Sequence, residues 1–215
     1  MEKRQRAIVI LLLLTGMVLT VFHIKIKQLP DAGAMKSGIM DQLNSYARQG
    51  QYFPEARIRL LSGESLDITE SIGKKVIIIN FFASWCPPCK SELPDFEKYF
   101  EKLRDKPVLF IGISLDQEKD RKALDSVLAE SGVTYPVGFP EIPSIAEKVN
   151  VKSIPVTVLI NILGKVSSMH VGAINPETLG KEIDANLRGL ERGLGISRDD
   201  YLTRLAKQTL ENGGE

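Results

Sequence analysis

The chain has 215 residues, 43% of them hydrophobic, and its 28 basic and 27 acidic side chains leave a formal net charge of +1. So even a balance leaves no electrostatic footprint for nucleic acid or for an acidic surface. Two cysteines and two histidines, with His23 inside an apolar segment, are too few soft ligands for a zinc centre, and no metal is expected. There is no internal repeat and no low-complexity tract, and the residues beyond the first thirty suffice for one domain with its own core.

Lys3, Arg4 and Arg6 precede Ala7–Phe22, an uncharged run rich in Leu, Ile and Val, and with His23 and Ile24 the run approaches the length of a bilayer span. Secretory signals share this layout but end in small residues, whereas Thr20-Val21-Phe22-His23-Ile24-Lys25 offers neither a cleavage site nor a cysteine for lipid. Residues 7–24 are therefore expected to be an uncleaved signal-anchor in the cell membrane, crossing it once. Residues 1–6 would be cytoplasmic and the bulk of the chain extracytoplasmic (periplasmic), where disulfide chemistry is permitted. Lys25 and Lys27 weaken the charge asymmetry, so the orientation rests on the short basic cluster coming first. Residues 25–53 read as a tether, with one short amphipathic helix suggested by the spacing of Ile39, Leu43, Tyr46 and Ala47.

The domain opens with a hairpin signal. Arg57–Leu61 alternates, Ser62-Gly63-Glu64 turns, and Ser65–Ile68 resumes. Val76–Phe82 then reads as a buried strand, and Trp85-Cys86-Pro87-Pro88-Cys89-Lys90 follows it directly. Two thiols at this spacing can close and reopen a small disulfide, carrying two electrons. A cysteine at a strand-to-helix junction also lies in the partial positive charge of the helix N-terminus. Pro87 drives Cys86 out of the helical region, as an N-cap requires, and Pro88 falls in the first turn, where no N–H is needed. Residues 87 and 88 thus offer a Cys86 thiolate no N–H donor, and Cys89 offers one. A static structural disulfide would constrain little across so short a loop. Covalent haem attachment would need a histidine where Lys90 stands. A dithiol–disulfide redox site is the reading that fits.

Further along, Val108–Ile113 is an apolar run suited to a strand covered on both faces. Residues 117–131 and Ile142–Val149 are predicted helices, Val156–Ile160 and Lys165–Met169 are strands joined by a turn at 161–164, and Pro176 opens a last core helix. The order implies an α/β sheet flanked by helices, spanning 54–188. The core is expected to be complete at residue 188. Gly189, Gly193 and Gly195 should break the chain before a helical extension over 189–215, where Ser197 and Asp200 form a capping box ahead of Tyr201, Leu202, Leu205 and Leu210.

This order, with W-C-P-P-C-K after the central strand and Ser153-Ile154-Pro155 before the closing hairpin, resembles the thioredoxin fold. It is most similar to the membrane-anchored TlpA/ResA-type thiol–disulfide reductases. The resemblance implies that Cys86 is the exposed attacking thiol and Cys89 the resolving one. It implies that Pro155 is a cis-proline facing the disulfide, with the Ile154 backbone placed to pair with a substrate strand. For the residues alone, a trans bond at Pro155 is also compatible, and cis is the minority state of any X–Pro bond. Trp85 matches an aromatic flanking the site, and its plainer role is packing. Trp85, Pro87 and Pro88 with Ile154 and Pro155 are thus the candidate substrate-binding residues.

Asn80 stands six residues before Cys86, where cytoplasmic thioredoxins carry a buried acid, and an amide cannot take up a proton as that acid does. Glu92, one turn after Cys89, matches an acid of the TlpA/ResA group. It would accept the Cys89 proton and raise cysteine pKa values, or else be a solvated helix glutamate. Pro94 should kink the same helix. No cofactor is implied. The expected activity is reduction of disulfides in extracytoplasmic client proteins, apocytochrome c among them, with electrons from a membrane donor protein. The alternatives are an oxidase or isomerase using the same atoms, or a tethered redox sensor without turnover. A peroxidase fits poorly, because the proline–threonine–cysteine approach of peroxiredoxins is absent before Cys86.

Overall fold

The computed structural model describes residues 49–141, 145–192 and 196–212. The expected anchor over 7–24 and the short tether helix around 39–47 lie outside the described residues. Among the described residues no helix is long and apolar enough to cross a membrane.

Strand β3 (Val76–Phe82) is the centre of the sheet, and all seven of its residues are buried. That is why its sequence is apolar at every position but Asn80 rather than alternating. On one side β4 (Val108–Ser114) runs parallel to it in full register, Val76 opposite Val108 through Phe82 opposite Ser114. On the other side β6 (Val156–Ile160) is antiparallel, and β7 (Val166–Val171) pairs antiparallel with β6. The predicted hairpin is present as β1 (Arg57–Leu60) and β2 (Ser65–Asp67). It joins the sheet through β5 (Val137–Pro140), parallel to β4 and antiparallel to β1, giving the order β2-β1-β5-β4-β3-β6-β7. Strand β5 escapes a sequence reading because it is four residues that follow Pro136 and end on Pro140. Its Gly138 is required by β1, since a Cβ there would stand 2.5 Å from the Arg59 carbonyl oxygen.

Helices cover both faces. Over Ile78, Phe82 and Leu159 pack α1 (Pro87–Lys102), α2 (Arg121–Glu130) and α4 (Pro176–Glu191), through Leu93, Phe96, Leu124, Val127, Leu179 and Ile183. Helix α1 continues through Pro94, whose ring removes one backbone donor from its interior. The opposite face, with Ile77, Ile79, Phe81, Val156 and Val158, is covered by α3 (Ile145–Lys148) and α5 (Arg198–Asn212). The helix expected over 117–131 begins as a 3-10 turn at Glu118–Asp120 before α2. That expected over 142–149 is described only as the single turn α3.

Two expectations for the C-terminal end are corrected. Gly189 does not break the chain, because α4 runs through it to Glu191. Nor is the core complete at residue 188. Tyr201 of α5 is 1% exposed, sits in the main apolar cluster and donates its hydroxyl to the Phe53 carbonyl. Its ring also meets Gly164 so closely that a Cβ there would lie 2.5 Å away. The capping box holds as read: the Asp200 N–H donates to Ser197 Oγ at 3.1 Å, and the Ser197 hydroxyl donates to Asp200 at 2.8 Å.

Because Tyr201 is a core residue, Tyr201→Ala should cost about 3–5 kcal/mol of stability, as for other buried aromatics. Urea denaturation measures it, and a loss below about 1 kcal/mol would return α5 to the status of an appendage.

Candidate functional site

Parallel strands β3, β4 and β5 end at the same edge of the sheet, the usual position for a site in an α/β fold. There β3 passes through Ala83-Ser84-Trp85 into Cys86, the N-cap of α1, whose backbone is extended (φ −97°, ψ 104°). Pro87 and Pro88 occupy the first turn, as the sequence predicts. The Cys86 sulfur accepts one hydrogen bond, from the Cys89 N–H at 3.3 Å. The two sulfurs are joined in a disulfide of 2.04 Å.

In this oxidised state Cys86 is not the exposed thiol of the expectation. It is 3% exposed and Cys89 fully buried, so the two differ little in exposure. What the surface presents is Trp85, 65% exposed, with Pro87 and Pro88. The Ile154–Pro155 bond is cis. Pro155 is buried at the head of β6, its carbonyl accepting the Gly172 N–H at 2.8 Å, while Ile154 is half-buried against the cluster that holds both cysteines.

Glu92 is not a solvated helix glutamate. It is 4% exposed, on the face of α1 turned to the sheet. One carboxylate oxygen accepts from Asn80 Nδ2 at 3.0 Å, and the other from the Ile174 N–H at 3.2 Å. Burial pushes its pKa up from 4.5 to about 7, against the pull of these two hydrogen bonds. Asn80 therefore has a defined part: it carries no proton but orients the carboxyl that can.

Asp116 escaped the sequence reading. It lies just past β4, and its carboxylate accepts from the Ser84 N–H (2.8 Å), the Ser84 hydroxyl (2.7 Å) and the Ser114 hydroxyl (2.7 Å). This buried carboxylate clamps the segment that delivers Trp85 and Cys86. The available signal was two polar residues, Ser114 and Asp116, at the site-facing end of an apolar strand. Among the described residues no group of three or more His, Cys, Asp or Glu side chains could hold a metal.

A thioredoxin-like sheet with a Cys-Pro-Pro-Cys disulfide at the head of the helix after its central strand defines a thiol–disulfide oxidoreductase. The Redoxin family profile matches residues 48–187, and the chain belongs to that family. It is similar to the thioredoxin-like protein YneN of Bacillus subtilis, with 29% identity over 137 residues, 64% of this chain and 79% of that protein. It is also similar to the thiol-disulfide oxidoreductase ResA of Halalkalibacterium halodurans, with 26% identity over 62% of this chain and 74% of ResA. Among solved structures, a thioredoxin-family thiol:disulfide interchange protein from Chlorobium tepidum aligns with a TM-score of 0.57 and 26% identity, covering 66% of this chain and 98% of that one. These relatives place the chain in the TlpA/ResA-like branch of the thioredoxin fold.

A carboxyl whose pKa is higher in the folded than in the unfolded protein favours folding only while it is protonated. Glu92 thus contributes fully below about pH 4.5, and that contribution is lost as pH rises to about 7. The oxidised protein should lose up to about 3 kcal/mol across this window relative to Glu92→Gln. Urea titrations of both proteins from acid to neutral pH measure the difference, and parallel pH profiles would contradict a buried, proton-binding Glu92.

Proposed function

We propose that the protein reduces disulfides of client proteins outside the cytoplasm, with Cys86 as nucleophile, Cys89 as resolving thiol and Glu92 as the acid–base partner of Cys89. The Cys86 thiolate attacks a client disulfide, forming a mixed disulfide and releasing one client thiolate. Glu92 takes the proton of Cys89, and the Cys89 thiolate attacks the Cys86 sulfur. The client leaves with its second thiol reduced, and the Cys86–Cys89 disulfide holds the oxidising equivalents. Trp85, Pro87 and Pro88 with the Ile154–Pro155 backbone form the face that receives the client.

The observation that carries this reading is the buried Glu92 carboxyl one helical turn after Cys89. When ionised it disfavours a neighbouring thiolate, and the Pro-Pro spacer leaves the Cys86 sulfur a single N–H donor. Both features weaken the reduced form, whose stabilisation makes a strong oxidant. The couple is therefore a reductant. Such a reductant outside the cytoplasm must be recharged, which implies a membrane protein that hands electrons outward. Residues 7–24 as anchor and 25–53 as tether would keep the 54–188 domain, with its 189–215 extension, beside that donor. Apocytochrome c, whose thiols must be free for haem attachment, is one client of this class.

A Cys89→Ser variant should accumulate mixed disulfides with client proteins through Cys86, and Cys86→Ser should accumulate none. Non-reducing electrophoresis of cells expressing each variant reads the difference. Equal trapping by both would remove the assignment of nucleophile, and trapping by neither would favour a sensor without turnover.

A further inference from the structure

The turn between β3 and α1 places Cys86, and Asp116 holds that turn. The Cys86 N–H donates to the Ala83 carbonyl at 3.1 Å, closing Ala83–Cys86 into a four-residue turn. Its first inner residue, Ser84, is buried and gives both of its donors, the N–H and the hydroxyl, to Asp116 at 2.8 and 2.7 Å. Asp116 is itself buried and fixed from behind. The Leu115 N–H donates to the Phe82 carbonyl at 2.8 Å, which ties the chain to β3 one residue past the end of β4. The Asp116 N–H donates to Ser114 Oγ at 3.1 Å, and the Ser114 hydroxyl donates back to the carboxylate at 2.7 Å. Across the disulfide, Cys89 lies in the first turn of α1 and is fully buried. One sulfur is thus placed by the helix and the other by the turn.

We infer that Asp116 is a positioning residue for the redox couple: by holding Ser84 it keeps Cys86 within closing reach of Cys89, which favours the disulfide over the dithiol. The protein is the stronger reductant for it. The inference deepens the proposed function and rests on it for the direction of electron flow. In that direction the two S–H bonds of the dithiol and the client S–S bond break, and the Cys86–Cys89 bond forms. The two protons and two electrons end on the client sulfurs. Two thiols already held close lose less freedom when they join, so a fixed turn raises their effective concentration. The coupling is reciprocal: a disulfide that orders the turn also strengthens the bonds from Ser84 to Asp116.

The test is equilibration of the full-length protein with reduced and oxidised glutathione at neutral pH, which reads the ratio of dithiol to disulfide in each variant. Asp116→Asn should lower the equilibrium constant for disulfide formation about tenfold, the worth of one hydrogen bond to a charged group. For this two-electron couple that is about 30 mV towards the oxidising side. Ser84→Ala leaves the Asp116 charge in place and removes the hydroxyl bond alone, so it should shift the constant the same way by a smaller factor. In urea, Asp116→Asn should lower the midpoint of the oxidised protein more than that of the reduced one, whereas a purely structural carboxylate would lower both alike. Wild-type ratios in both variants would overturn the inference. A shift in Asp116→Asn with none in Ser84→Ala would also overturn it, by assigning the effect to charge. If Asp116→Asn does not fold, Ser84→Ala decides. A wild-type ratio that marks an oxidant would remove the reductant reading, while the difference between wild type and variant bears on Asp116 alone.

Discussion

The site depends on a carboxyl placed where an ion is hard to keep. Glu92 projects from α1 into the apolar layer between that helix and the sheet, and water reaches 4% of it. Desolvation pushes its pKa up from the ordinary carboxyl value. Asn80 and the Ile174 N–H pull the other way, so that it gains and loses a proton near pH 7. A group poised near the working pH is what proton transfer to and from a thiol requires. The partners come from two remote elements, β3 and the loop ahead of α4. The whole domain must therefore be folded for the acid to be tuned.

The cysteines are held by a second set of constraints that work on the backbone. Cys86 caps α1, and the two prolines after it start the helix while withholding N–H donors from its sulfur. Asp116 fixes the approach from the other side by gripping both the backbone and the hydroxyl of Ser84. The disulfide thus lies between the Ser84 segment held by Asp116 and the start of α1, with Trp85 exposed next to it in the chain.

How much of this could be read beforehand depended on the range of each interaction. The central strand, the hairpin, the Cys86 cap and the Ser197 capping box are local and were legible as runs and spacings. The burial of Glu92 was not, because a glutamate three residues after a cysteine reads the same whether it meets solvent or the sheet. Its fate is decided by Asn80 and Ile174, 12 and 82 residues away. Tyr201 was legible as a helix residue but not as a core residue, since its partner Phe53 lies 148 positions back. Strand β5 was hidden by the prolines before it and at its end, Pro136 and Pro140, and is specified by the neighbours it joins. The cis bond at Pro155 came from resemblance, because the residues themselves leave both isomers open.

The reading of the site as a reductant is tested most directly by the reduction potential of the Cys86–Cys89 couple in the full-length protein, equilibrated against a thiol buffer at neutral pH. A buried carboxylate beside the resolving thiol and a single N–H donor to the attacking one predict a value below about −200 mV. A value near about −120 mV, that of a strong disulfide donor, would contradict it and make the same atoms an oxidase.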